Sequence, residues 1–251
     1  MKRSADASEV AEEARKRRAE SGGDLSWVTI VGFGSLLSKR SALATTPGMR
    51  HYQYVRVKGF QRLFAHPAAI FFERGDWPGI AKPETKEIAS LSTRPAPQHD
   101  FVACAYQIPQ DEWELLAERE EEFDFVEAEF EPLEEDAPTL GRNVGFMCTR
   151  SSDEKLQKSS LWDRYRRHLK SYGEIVVWGW APDSGILPCP VYCRHCVLAV
   201  QKEGVPAYVQ DSFLDQTFLV DQTTTLREYL ALNPHIMATL PPEEFKERYS
   251  G

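Results

Sequence analysis

The chain has 251 residues, 42% hydrophobic and 27% charged, with 15 glycines and 16 prolines, so it can bury a core and is neither collagen-like nor wholly disordered. No stretch approaches the ~18 consecutive apolar residues of a spanning helix, and the longest candidate, residues 27–37, is broken by Gly32 and Gly34. The net charge of −8 is uneven: residues 111–136 hold 14 acids against one base, Arg119, and the overall sign excludes a general nucleic-acid surface.

In chain order, residues 1–24 balance six Lys/Arg against six Asp/Glu without an apolar core, which fits neither a secretory signal nor a transit peptide. They read as a disordered N-terminal arm ended by Gly22 and Gly23, on a protein of cytoplasmic location. Residues 27–33 (WVTIVGF) are a β-branched run that reads as a buried strand entering a tight turn at Gly32-Phe33-Gly34-Ser35. The turn lacks the third glycine of a dinucleotide fingerprint, since Leu37 stands there, and the same residue denies Ser35 a nucleophile elbow. What remains is a turn whose N–H groups can converge on a carboxylate or phosphate; taken alone, it reads equally as a turn without a ligand.

From Leu25 to Phe72 no acid occurs among 48 residues, while six bases do, Arg62 among them. Buried strand accounts for that gap, and so does a site that receives an anion. Short strands are expected at 52–57, 63–64, 88–91 and 101–108. Pro109 then opens a helix with apolar positions Trp113, Leu115 and Leu116. The acidic run follows, and a carboxylate turned inward there, with like charges beside it and apolar walls, would hold its proton more tightly. An alternating strand over 123–130 and a short one over 144–148 complete a β-rich domain at 25–150.

Residues 151–251 read as a mainly helical extension. Ser151 with Glu154 forms a capping box, with Leu161, Trp162, Tyr165, Leu169 and Tyr172 on the helix face and Gly173 at its stop; a second box pairs Thr225 with Glu228. Five cysteines without regular spacing argue for reduced thiols. Cys189, Cys193 and Cys196 lie near His195, but the spacing has no matching second pair, so the segment reads as a helix with small cysteines on its packed side; a zinc-stabilised scaffold is the remaining alternative.

Three motifs in order resemble the gamma-glutamylcyclotransferase superfamily, with its ChaC-type and AIG2-like members. They are Val31-Gly32-Phe33-Gly34-Ser35-Leu36, Gly59-Phe60-Gln61-Arg62-Leu63-Phe64 and Leu116-Ala117-Glu118-Arg119-Glu120, within roughly residues 27–135. The resemblance implies an α+β fold, a small mixed β-barrel flanked by helices, and release of 5-oxoproline from a gamma-glutamyl compound such as glutathione, a gamma-glutamyl amino acid or amine, with no cofactor. It places the catalytic acid at Glu120, or at Glu121 if the register is shifted. Gly32, Phe33, Gly34, Ser35 and Leu36 would hold the substrate carboxylate, with Arg62 assisting or engaged in a buried ion pair. Phe33 stands where the family has a tyrosine, and the family's small residue and tyrosine after the acid are missing. Those departures suit the alternative, a non-catalytic module binding a small carboxylate. The implied partner is a small gamma-glutamyl substrate, not nucleic acid or membrane, with the C-terminal extension as a surface for a protein partner.

Overall fold

Residues 27–74, 77–172 and 175–251 are described by a computed structural model; the expected N-terminal arm and the helix stop at Gly173 lie outside them. The strands are β1 (Trp27–Gly32), β2 (Arg50–Pro67), β3 (Glu73–Arg74), β4 (Trp77–Pro78), β5 (Glu87–Pro109), β6 (Asp124–Pro132), β7 (Val144–Thr149), β8 (Leu187–Pro188) and β9 (Thr217–Leu219). The helices are α1 (Lys39–Thr45), α2 (Gln110–Arg119), α3 (Asp153–Leu156), α4 (Trp162–Leu169), α5 (Pro190–Val200), α6 (Ala207–Asp215), α7 (Leu226–Leu232) and α8 (His235–Ala238).

Five strands close into a barrel. β5 pairs with both β1 and β2, β2 with β6, β6 with β7, and β7 returns to β1. Four of these seams are antiparallel; the fifth is parallel, with Ile30 opposite Phe146. The fold is therefore α+β, a small mixed barrel with flanking helices. β1 is apolar almost throughout because it has neighbours on both edges and packing on both faces, and all but its first residue are buried.

The stretches expected as separate strands at 52–57 and 63–64 are one strand, and so are those at 88–91 and 101–108. β2 and β5 run past each other and bend together at a register shift between Lys58 and Phe60, where Gly59 adopts φ +82°. The glycine thus marks a bulge, not a chain reversal.

Helix α2 docks through two of its three apolar positions. Trp113 and Leu116 are buried, whereas Leu115 is 67% exposed. The Trp113 ring stacks on Phe146 at 4.9 Å and meets Phe125 edge-on at 4.8 Å. Burying two such side chains contributes roughly 1.5–3 kcal/mol each and fixes where the residues after the helix emerge.

The cap of α3 falls one residue later than expected. Ser152 accepts the Lys155 N–H, while Ser151 turns inward and donates to buried Asp124 at 3.0 Å, where the Lys155 ammonium also ends at 2.6 Å. A buried carboxylate outcompetes the helix end for that hydroxyl, because leaving it unpaired costs more than shifting a cap. The Thr225/Glu228 box forms in full at the start of α7.

Residues 151–251 do not stand apart from the barrel. β9 runs parallel beside β2, β8 runs parallel beside β5, and Val197, Phe213 and Leu226 join the same hydrophobic core as Val31, Leu91 and Phe101. Cys189, Cys193 and Cys196 are buried around α5, and no group of three or more metal-binding side chains gathers among the described residues. No helix among them is long and apolar enough to cross a membrane.

Candidate active site

The turn after β1 is held by its carbonyls. Cys104 Sγ donates to the Gly32 and Leu36 oxygens, Arg62 to that of Phe33, Tyr52 to those of Leu36 and Leu37, and Tyr54 to that of Leu37. The Gly34 and Ser35 carbonyls take the N–H groups of Leu37 and Ser38, which closes a short 3₁₀ turn. Ser35 N–H points to the Cys196 sulfur. Among the described residues, no acceptor meets the N–H of Gly34 or Leu36. A turn whose oxygens are all engaged and whose N–H groups are partly open can accept a carboxylate. Gly32 is required sterically, since a Cβ there would stand 2.8 Å from Leu36 Cβ and 2.9 Å from Cys104 Sγ.

Arg62 is fully buried and forms no ion pair among the described residues. It donates to Thr217 Oγ1 (2.7 Å), Phe33 O (3.1 Å), Val102 O (3.2 Å) and Ser212 O (2.9 Å), with its guanidinium near the rings of Phe101 and Phe213. Burial pulls its pKa down to about 9, so it stays a cation at neutral pH. Its donors are engaged by neutral groups behind the turn, where it braces Phe33, and the expected buried ion pair is not found among the described residues.

The acids after α2 divide by direction. Glu120 caps the helix, its N–H bonded to Leu116 O, and a turn closed by Phe123 N–H to Glu120 O carries the chain into β6. Glu121, the alternative if the register is shifted, is exposed at the tip of that turn. Glu120 keeps 27% of its side-chain surface open, and Oε1 accepts two bonds from Arg119 at 3.1 and 3.2 Å. Burial against the protein walls raises its carboxyl above the ordinary range; Arg119 opposes, and Glu122 adds to the rise.

Glu122 was not anticipated as an inward group. Its Oε2 accepts from the Tyr165 hydroxyl (2.5 Å) and the Ala69 N–H (3.3 Å), and Oε1 lies 3.8 Å from His66 Nε2. His66 in turn stacks on Trp178 at 4.1 Å. This carboxylate is held in a network, whereas Glu120 is gripped by one partly exposed arginine.

Tyr192, on α5, lies over the turn. Its hydroxyl lies 3.6 Å from where a Cβ on Gly34 would stand, and its electrostatic partners include Cys196 and Glu120. Burial pushes the phenol well above its usual range, so it remains a donor. The hydroxyl missing at Phe33 therefore has a counterpart 159 positions later in the chain, over the same turn. Sequence reading took this helix as packing, with zinc as the alternative, and passed over Tyr192, because a tyrosine among buried cysteines carries no motif. Arg248, near the C-terminus, also acts on Glu120.

No protein-family model matches the chain, and no curated protein matches it. Among solved structures, a gamma-glutamyl cyclotransferase is similar with a TM-score of 0.43 at 9% identity, over 74% of this chain and 85% of that one. A glutathione-specific gamma-glutamyl cyclotransferase from yeast is similar with a TM-score of 0.45 at 14% identity, over 85% and 96%. An uncharacterised protein from Homo sapiens has a TM-score of 0.44 at 9% identity, over 74% and 85%. At these identities the likeness is one of fold alone and says nothing of chemistry.

Proposed function

We propose that the chain is a gamma-glutamylcyclotransferase-type enzyme that releases 5-oxoproline from a gamma-glutamyl compound. The observation that carries this reading is a turn with open N–H groups and the Tyr192 hydroxyl beside Gly34, supported by a Glu120 carboxyl raised by burial at the end of α2. In the reaction, the substrate's α-amine nitrogen attacks its own γ-carbonyl carbon, forming the lactam C–N bond, and the bond to the departing amine breaks. Glu120 takes the proton from the attacking amine and returns it to the leaving nitrogen, so no proton or electron is left over. Because both reacting groups belong to one molecule, the turn and Tyr192 contribute chiefly by fixing a folded conformer, an advantage worth several kcal/mol. Proton transfer by a placed carboxylate adds about 10²–10⁴-fold.

The test is 5-oxoproline release by the wild-type chain and by Glu120→Gln and Glu122→Gln, offered glutathione, gamma-glutamyl dipeptides and gamma-glutamyl amines. Glu120→Gln is expected to lose at least about a hundredfold in rate with folding retained, and Glu122→Gln to keep most of it. The reverse result moves the acid to Glu122. A wild-type chain that binds these compounds without turnover leaves the non-catalytic module in its place.

A further inference from the structure

Residues 243–251 lie as a strap along α5. Tyr249 is buried in a cluster with Ala68, Phe71, Ile80 and Val191, and Phe245 meets its ring edge-on at 6.3 Å. His195 meets the same ring edge-on at 5.6 Å, and the Gly251 N–H donates to His195 Nδ1 at 2.9 Å. Lys202 Nζ donates to Ser250 O at 3.0 Å. Gly251 sits so close to the helix that a Cβ there would stand 2.7 Å from Leu198 Cβ. The backbone that carries Arg248 is therefore anchored immediately after it.

The strap covers the face of α5 that meets the candidate site. Tyr192 and His195 are three positions apart on that helix with their rings 6.3 Å from each other, and Phe71, whose ring is 5.0 Å from Tyr192, belongs to the cluster around Tyr249. Arg248 is exposed, its guanidinium 5.7 Å from the Tyr249 ring, and its charge reaches both Glu120 and His195. His195 adds no charge of its own at neutral pH, because burial, with Arg248 and Lys202 acting in the same sense, pulls its pKa down to about 4. Two arginines thus act on Glu120, and they differ. Arg119 is bonded to Glu120 Oε1, whereas no carboxylate among the described residues pairs with Arg248.

A substrate whose glutamyl carboxylate occupies the turn and whose reacting amide lies at Glu120 directs its departing portion away from the turn. In a gamma-glutamyl amino acid or peptide that portion ends in a carboxylate; in a gamma-glutamyl amine it does not. An unpaired cation on an anchored backbone can tell the two apart.

We propose that Arg248 is a specificity residue that receives the carboxylate of the departing amino acid or peptide, so that the chain prefers gamma-glutamyl amino acids and peptides to gamma-glutamyl amines; this rests on the cyclotransferase reading. The test compares gamma-glutamyl-alanine with gamma-glutamyl-alaninamide in two ways. One is 5-oxoproline release by the wild-type chain, Arg248→Gln and Arg248→Lys; the other is calorimetric binding to the Glu120→Gln chain with and without Arg248→Gln. The wild type is expected to favour the acid by about three- to tenfold in kcat/KM, chiefly through KM, and Arg248→Gln to bring the two compounds within about twofold while its thermal midpoint holds. Arg248→Lys keeps part of the preference, and added salt shrinks it, as an exposed pair requires. A wild-type chain that turns over neither compound overturns the cyclotransferase reading, while a preference seen in binding and lost with Arg248→Gln still supports the carboxylate site. Equal binding of acid and amide, a preference unchanged in folded Arg248→Gln, or no binding of either compound overturns the role of Arg248.

Discussion

Glu120 and Arg62 show how burial acts on opposite charges. Because Glu120 holds its proton more tightly folded than unfolded, its contribution to stability is present below the ordinary carboxylate pKa and is lost as pH rises through the raised one. Glu120→Gln removes that loss. Its thermal midpoint is therefore expected to gain on the wild type as pH rises through that window and to keep a constant lead above it; a gap that narrows with rising pH contradicts the assignment. On the proposed function, the same ionisation is expected to make the rate of 5-oxoproline release climb with pH above the usual carboxylate range, checked by a pH–rate profile. For Arg62, removing a buried charge competes with abandoning the three carbonyls it serves. Unpaired buried acceptors cost more, so Arg62→Met is expected to lose about 2–4 kcal/mol in urea unfolding, whereas a gain would mean the charge itself was the burden. Motif order brought Glu120 forward as a candidate; Tyr192 and Glu122 left no such signal, because their place in the candidate site lies in what they touch.

At the scale of elements, short signals with a local cause could be read, and those set by distant partners could not. The α7 capping box depends only on Thr225 and Glu228, and it forms as its spacing requires. Thr225→Ala is expected to cost about 1 kcal/mol, a drop of roughly 2–4 °C in the thermal midpoint for a chain of this size, checked by calorimetry. Ser151 misled because its partner, Asp124, lies 27 residues earlier. The break expected between residues 57 and 63 does not occur because Gly59 sits in a bulge, and only pairing across β2 and β5 reveals one continuous strand.

For the whole molecule, the C-terminal third completes the barrel's surroundings. The two-residue β8 and three-residue β9 are too short to leave a periodic trace, which is why an appended helical unit was the natural reading. Without residues 151–251, Arg62 loses Thr217 and Ser212, Glu122 loses Tyr165, and the turn loses Tyr192. A chain ending at residue 150 is expected to show no cooperative unfolding transition and no near-ultraviolet circular dichroism; a sigmoidal transition would establish an independent N-terminal unit.

The parallel seam between β1 and β7 also sets a schedule for synthesis. On a translating ribosome, β1 emerges early but has no second neighbour until residues near Phe146 follow, and Tyr192 arrives later still. Between the synthesis of β1 and that of β7 the nascent chain thus carries an open apolar sheet edge, the condition under which chaperones engage and truncated products aggregate.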